Sequence, residues 1–135
     1  MRLEARVRAG DGLTDDQRAT LAGVLRSALE SSHLTFRLYV GALAHGRESA
    51  LEQLAACGAG AADTVLVAVD PGARSLEIVT GARAAASLDD RTCGLAALAM
   101  TSSFSAGDLV GGVRNGVQIL ADHARHQPRR HLETL

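Results

Sequence analysis

The chain has 135 residues, 47% of them hydrophobic but only 2% aromatic, and its formal net charge at pH 7 is −1. This length fits one domain with its own hydrophobic core, whereas the weak charge and the few aromatic rings argue against nucleic-acid binding. Every cationic side chain is an arginine, which excludes Schiff-base chemistry on lysine and phosphate capture by a P-loop lysine.

The N-terminal quarter of the chain contains one strand pattern and one helix pattern. Residues 1–12 form an N-terminal segment whose alternating apolar and charged side chains predict a possible edge strand. Thr14 and Gln17 then have the spacing of a capping box, and apolar residues recur after them at helical spacing. These features predict a helix over residues 15–31.

A second strand and a second helix follow. Residues 35–40 (TFRLYV) alternate, so they predict a strand with its even-numbered residues facing the core and Tyr39 on the opposite face. Helical spacing from Glu48 to Cys57 predicts a helix that ends in a glycine loop at 58–60.

The most apolar segment of the chain is 65–69 (VLVAV), which is typical of a central strand covered on both faces. Residues 70–73 (DPGA) favour a tight reversal, so Leu76–Val79 should fold back antiparallel. We expect this hairpin, residues 64–81, to form the middle of the sheet.

The remaining apolar pattern is helical. Residues 89–104 predict a third helix with Leu95, Leu98 and Ala99 on its apolar face, and residues 106–125 predict a fourth. Glycines recur at helical spacing in the fourth helix, which favours close packing against a neighbouring helix.

The order of these elements predicts the architecture. Helices before, between and after the strands favour an α/β domain over residues 13–126, a three-layer α/β/α sandwich around a small mixed sheet. Residues 127–135 have the composition of a polar tail.

Two features bear on the cellular compartment. Cys57 and Cys93 stand far apart and outside any CxxC pair, which favours reduced thiols packed as small apolar groups. Residues 1–9 lack the apolar core of a signal peptide, and no segment approaches the roughly 18 apolar residues that span a bilayer. A cytoplasmic protein without a membrane span is therefore expected.

The polar residues offer two candidate metal sites. Asp63 precedes the most buried strand at an end of the sheet, and with Asp11 it could form an oxygen-only site for Ca²⁺ or Mg²⁺. Turn and solubility roles are the alternative for both carboxylates. His123 and His126 could share one helix face and hold a metal, but these two and His131 are expected to be exposed tail residues.

Several short motifs also occur in a characteristic order along residues 13–124. They are 13–14 (LT) opening a helix, 62–69 (ADTVLVAV), 78–81 (IVTG), 88–90 (LDD) and 107–109 (GDL). This order resembles that of TPM domains, and most closely that of the small uncharacterised actinobacterial proteins related to them. The resemblance implies an α/β/α sandwich, with acid phosphatase activity or divalent-metal binding in some members and roles in assembling membrane complexes in others.

The resemblance extends to the acidic site only in part. Asp63 matches the aspartate of the family's Asp-Asn-Gly segment, but Thr64 and Val65 replace Asn-Gly. Arg8 occupies the place of the family's early aspartate, which leaves Asp11 as an approximate substitute. These departures favour a non-catalytic domain that contacts an unidentified protein partner. The alternative is a weak acid phosphatase that uses Ca²⁺ or Mg²⁺ at Asp63 and Asp11.

Overall fold

The computed structural model describes the backbone of residues 5–7 and the whole of residues 13–126. In chain order the strands and helices are β1 (Ala5–Val7), α1 (Asp15–Ser32), β2 (Thr35–Val40), α2 (Arg47–Ala55), β3 (Thr64–Asp70), β4 (Ser75–Thr80), α3 (Asp90–Ser105) and α4 (Leu109–His126), with short 3-10 helices at Gly58–Asp63 and Ala84–Ala86. Each helix and strand expected from the sequence is present, with bounds that differ by a few residues. The expected tail, residues 127–135, lies outside the described residues.

Local signals in the sequence explain where the helices begin. The capping box of α1 is confirmed: the Gln17 N–H donates to Thr14 Oγ1 at 3.1 Å, and the Thr14 N–H donates to Gln17 Oε1 at 2.9 Å. Asp89 caps α3 in the same way, because its Oδ1 accepts the Thr92 N–H at 2.8 Å. Each carboxylate or hydroxyl satisfies a backbone donor that the first helical turn leaves without a partner.

The four strands form one mixed sheet in the order β1-β2-β3-β4. The pairs β1–β2 and β2–β3 are parallel, while β3–β4 is antiparallel. The expectation that the whole hairpin forms the middle of the sheet is wrong for β4, which lies at an edge. A tight turn fixes β4 only as a neighbour of β3, and the parallel crossover through α2 places β2 on the other side of β3.

Helices cover both faces of this sheet, so the expected three-layer α/β/α architecture is confirmed. The larger core lies between the sheet and α1, α3 and α4, and it contains Phe36, Leu38 and Val40 of β2. The smaller core lies under α2 and consists of Tyr39, Leu43, Ala50, Leu54, Leu66, Ala68 and Val79. Tyr39 lies on the face opposite Phe36, as the alternation predicts, and α2 covers that face and leaves Tyr39 only 8% exposed.

Glycines allow α4 to pack closely against α3, as their helical spacing predicts. A Cβ atom on Gly112 would lie 2.6 Å from the Phe104 ring, and one on Gly116 would overlap the side chain of Met100. Gly107 has a different role, because it lies in the connection before α4. Its φ is +85°, a backbone conformation that residues other than glycine rarely adopt. None of the helices in the described part of the chain is both long and apolar enough to cross a lipid bilayer.

Candidate functional site

Asp63 lies at the end of the 3-10 helix that precedes β3, and its carboxylate is paired. Arg83 Nε donates to Asp63 Oδ1 at 2.7 Å, and Arg83 Nη2 donates to Asp63 Oδ2 at 3.4 Å. This hydrogen bond raises the pKa of Arg83 above its ordinary value. Both side chains are exposed, so the pair adds little to the free energy of folding, but it neutralises the aspartate that the sequence marks as a metal ligand.

Backbone contacts explain why Arg83 reaches this aspartate. The Gly81 N–H donates to the Thr64 carbonyl at 2.9 Å, and the Arg83 N–H donates to the Ala62 carbonyl at 2.8 Å. The chain that leaves β4 therefore remains beside the chain that enters β3. Asp63 and Arg83 are 20 residues apart in sequence, so no local motif could have predicted their pairing.

The second residue of the predicted metal site, Asp11, lies outside the described residues. Leu13, two positions later, lines a cleft at the carboxyl end of β3, whereas Asp63 precedes the amino end of that strand. Within residues 5–7 and 13–126, no three His, Cys, Asp or Glu side chains are grouped so that they could hold a metal ion. A metal site at Asp63 and Asp11 stays a prediction.

Two of the three C-terminal histidines lie within the described residues. His123 and His126 belong to the last turns of α4 and not to a tail, because the buried side of that helix continues through Ala121 and Ala124. His126 Nδ1 lies 2.8 Å from the Asp122 carbonyl oxygen, while His131 lies outside the described residues.

The cleft at the carboxyl end of β3 has a volume of about 460 Å³. Its walls combine the β3–β4 turn, the end of α3 and the start of α4, with Asp70, Arg74, Phe104 and Asp108 among the lining residues. Clefts in open α/β sheets commonly bind ligands at the carboxyl ends of the parallel strands. The position of the cleft thus makes it a candidate binding surface.

The two carboxylates in this cleft accept hydrogen bonds from backbone N–H groups. Asp70 Oδ2 accepts the Leu43 N–H at 2.9 Å, and its Oδ1 accepts the Ala73 N–H at 3.1 Å. These hydrogen bonds, that from Leu43 first, lower the pKa of Asp70. Asp108 Oδ1 accepts the Gly111 N–H at 2.9 Å at the start of α4. Both groups hold backbone segments in place, and for Asp70 the sequence predicted only a role in the turn.

The outer surface of α3 carries the most exposed large apolar side chains of the described residues. Leu95 is 55% exposed and Leu98 is 68% exposed, although both were expected on the buried side of this helix. The buried residues of α3 are Thr92, Ala96 and Met100. Because α3 is rich in small and apolar residues all round, its periodicity could not decide which side faces the core.

Three further residues share this outer surface at helical spacing. Gly94 precedes Leu95, and a Cβ atom added to it would meet nothing within 4 Å. Thr101 and Ser105 follow Leu98 by one and two turns and line the cleft described above. Gly94, Leu95, Leu98, Thr101 and Ser105 are together called the α3 face. It is a continuous surface that runs from exposed leucines into a cleft.

Comparisons with known proteins give one family and several structural relatives. A family model described as Domain of unknown function (DUF5130) matches residues 5–121. No curated protein sequence matches the chain.

Several solved structures are similar to this fold at low sequence identity. The BA42 protein of the psychrophilic bacterium Bizionia argentinensis has a TM-score of 0.74 at 14% identity, covering 87% of this chain and 84% of its own. The N-terminal domain of the cg2496 protein of Corynebacterium glutamicum has a TM-score of 0.75 at 11% identity, covering 95% and 84%. An N-terminal domain from P. gingivalis has a TM-score of 0.72 at 20% identity, covering 88% and 80%. At these identities the likeness establishes the α/β fold.

Proposed function

Since the chain belongs to the DUF5130 family, a domain of unknown function, we propose a role from its geometry: a non-catalytic, TPM-like domain that binds a protein partner through the α3 face. The observation on which this proposal rests is the exposure of Leu95 and Leu98 on one side of α3. The order of sequence motifs and the three-layer fold support the TPM-like assignment.

Single exposed leucines are ordinary on protein surfaces, but the arrangement on the α3 face is more specific. Two large leucines three residues apart lie on one side of a helix and adjoin a cleft whose walls include Phe104. Apolar surface of this kind, continuous with a concave region, is typical of protein interaction sites. A partner with an apolar helix or extended segment would cover both leucines and insert one side chain into the cleft.

Gly94 supports the same role. A glycine inside a helix costs about 1 kcal/mol relative to alanine, and no described atom would obstruct an alanine methyl group here. A partner that packs against the α3 backbone at this point would benefit from the missing side chain. The two free thiols, Cys57 and Cys93, support a reducing compartment such as the cytoplasm as the place of binding.

Site-specific photo-crosslinking in the native cell tests this proposal. A photoreactive amino acid replaces Leu98, and a control variant carries it at Leu51, which is 45% exposed on α2. We expect a reproducible protein adduct from position 98 and none of the same mass from position 51. Adding Leu95→Glu to the position-98 variant should abolish the adduct, because a carboxylate would have to be desolvated in the interface.

Two results would contradict this role. Equal adducts at positions 98 and 51 would mean that labelling follows exposure alone. The absence of any adduct at position 98 would show that nothing covers the α3 face. The melting temperature of Leu95→Glu should match that of the unchanged protein, since the substituted side chain is exposed in the fold.

The alternative function is a weak acid phosphatase that depends on Ca²⁺ or Mg²⁺ bound at Asp63 and Asp11. It rests on the resemblance to TPM domains, and a cation at Asp63 would have to displace the Arg83 guanidinium. Thermal unfolding with and without millimolar Ca²⁺ or Mg²⁺ tests it, because an ion bound only by the folded state must raise the melting temperature. An unchanged melting temperature would refute the metal site, and phosphate-ester hydrolysis that survives Asp63→Ala would place any activity elsewhere.

A further inference from the structure

A shallow groove of about 910 Å³ runs between α1 and α4, away from the carboxyl-end cleft. Its apolar part consists of Val24, Ala28, Val117 and Ala121. Small and polar side chains form its borders, namely Thr20, Gly23, Ser27 and Ser31 on α1 and Arg114, Gln118 and Asp122 on α4. Ala28, Val117 and Ala121 are already buried within the chain. The groove therefore offers a second molecule mainly small and polar side chains on α1 and one charge of each sign on α4.

Gly23 has no function that the fold itself explains. It lies in the interior of α1, where glycine weakens a helix relative to alanine. A Cβ atom at this position would meet nothing within 4 Å, so packing within the described chain does not require glycine. Close approach by another backbone would require it.

The charges on α4 have the spacing of a self-complementary surface. Arg114 and Asp122 are separated by eight residues, about two helical turns, with Gln118 midway between them. A two-fold axis passing Gln118 at right angles to α4 would pair the helix with an antiparallel copy of itself. Arg114 would then face the partner's Asp122, and Asp122 would face the partner's Arg114, as an isologous interface requires.

The side chains of α1 obey the same symmetry. The α1 residues that line the groove form three pairs about the midpoint between positions 25 and 26. The pairs are Thr20 with the partner's Ser31, Gly23 with the partner's Ala28, and Val24 with the partner's Ser27. Each pair contains small or medium side chains, so antiparallel copies of α1 could approach closely without a clash between two large residues.

Both charged groups are accessible to a second molecule. Among the described residues, Arg114 makes no ion pair, and both Arg114 and Asp122 are exposed. Asp122 has only an exposed partner on its own helix, Arg125, at 3.2 Å. An exposed ion pair of this kind contributes little to the free energy of folding. Exchanging Arg125 for the guanidinium of a second molecule would therefore cost little stability.

We propose that the α1–α4 groove is the interface of a homodimer, in which α1 and α4 pack antiparallel to the same helices of a second copy. The small residues allow the helices to approach, Val24 adds a partly buried apolar side chain, and the two Arg114–Asp122 contacts fix the register. This interface is separate from the α3 face, so the dimer and the partner-binding role can stand or fall independently.

Sedimentation of the full chain from 10 to 200 μM tests the dimer. We expect a mass near twice the 14.0 kDa of the monomer. Arg114→Glu places two carboxylates together at each end of the interface and should weaken the dimer by about tenfold in Kd. The double variant Arg114→Glu/Asp122→Arg reverses both charges and should restore the Kd to within a few-fold. Arg91→Glu, an exposed charge on α3, serves as the control and should leave the Kd unchanged.

A second variant separates loss of the interface from loss of the fold. Gly23→Gln adds a side chain to the groove and should abolish the dimer, while the melting temperature of the monomer stays equal or rises because glutamine favours helix. A monomer at 200 μM, a dimer that tolerates Gly23→Gln, or a charge reversal that fails to restore association would overturn the proposal. A dimer lost with Leu98→Glu instead would assign association to the α3 face.

Discussion

Gly81 illustrates how one residue holds the amino end of β3 in place. A Cβ atom at this position would overlap the carbonyl oxygen of Ala61, part of the backbone before β3. That oxygen cannot move freely, because the neighbouring Ala62 carbonyl accepts the Arg83 N–H and the Thr64 carbonyl accepts the Gly81 N–H. Glycine is needed here because two segments of backbone come close together.

We therefore predict that Gly81→Ala lowers the free energy of unfolding by about 3 kcal/mol, the upper part of the range for overpacking. Urea unfolding monitored by circular dichroism measures the change. Gly60→Ala is the matched control, since a Cβ atom there meets nothing within 4 Å, and it should cost less than about 0.5 kcal/mol. Equal unfolding midpoints for the two variants would show that the backbone near Ala61 can yield.

Asp70 joins the β3–β4 turn to the loop after β2, and it should make stability depend on pH. The N–H groups of Leu43 and Ala73 lower its pKa. A carboxyl group whose pKa is depressed by folding stabilises the fold above its unfolded pKa, near 4, and this contribution is lost as the pH falls through the folded pKa.

Asp70→Asn should consequently lower the urea midpoint at pH 7, and the difference from the unchanged protein should shrink as the pH falls below about 4. Asparagine keeps the shape of the side chain, but it lacks the charge that strengthens hydrogen bonds from backbone N–H groups, and its amide nitrogen cannot accept the second of the two N–H groups. Urea titrations at pH 7 and at pH 3 give the comparison. A difference of the same size at both values would mean that the charge of Asp70 does not stabilise the turn.

Among the elements, β4 forms an edge of the sheet, and a side chain from α2 shields this edge from pairing with another molecule. An unpaired edge strand can recruit another strand and so lead to aggregation. Arg47 reaches from the start of α2 to this strand, where its Nη1 lies 3.4 Å from Glu77 Oε1 and 3.5 Å from the Ile78 carbonyl oxygen. A charged side chain across a strand's backbone hinders pairing with a second molecule.

Arg47→Ala should increase aggregation on heating while changing the free energy of unfolding by only about 0.5 kcal/mol, the usual worth of an exposed ion pair. Light scattering during a thermal ramp, compared at equal distance below each melting temperature, measures the effect. Arg125→Ala removes another exposed ion pair far from any strand edge and should scatter like the unchanged protein. Similar scattering from both variants would contradict a protective role for Arg47.

Local sequence patterns predicted which helices and strands form better than they predicted which of them lie side by side. The capping box at Thr14 and the reversal after Asp70 are chemical signals read over a few residues, and both were confirmed. The place of β4 at the edge depends on the crossover through α2, which joins segments distant in sequence. The buried side of α3 depends on which side meets the glycines of α4, and the many small residues of α3 left that choice open.

The candidate site was predictable to a similar extent. A carboxylate before the most apolar strand marks an end of the sheet, and Asp63 does lie there. Its pairing with Arg83 depends on the path of the chain after β4, which runs beside the segment before β3. No pattern of residue spacing in the sequence indicates this path. The α3 face could be recognised only after folding, because exposure is a property of the assembled layers.

For the molecule as a whole, two cores of unequal size share one sheet. Tyr39, the single tyrosine of a chain without tryptophan, lies in the smaller core under α2, so its fluorescence reports on that layer. Circular dichroism reports mainly on α1, α3 and α4, which pack on the other face. Because β2 and β3 contribute residues to both cores, loss of either core should remove the support of the other.

The two signals should accordingly give the same unfolding midpoint in urea, as expected for a cooperative domain of this size. Fluorescence and circular dichroism recorded on the same samples make the comparison direct. A fluorescence change at distinctly lower urea would reveal that the α2 layer detaches while the rest of the domain stays folded.

The mixed sheet also implies an order of events during folding. The β3–β4 turn closes over a few residues, whereas the parallel pairs β1–β2 and β2–β3 join segments about 30 residues apart. Closing longer loops costs more chain entropy before any contact repays it. The hairpin should therefore form before the parallel pairs and act as the template on which β2 docks. Substitutions in the turn would then slow refolding, and those in the β1–β2 contact would mainly speed unfolding.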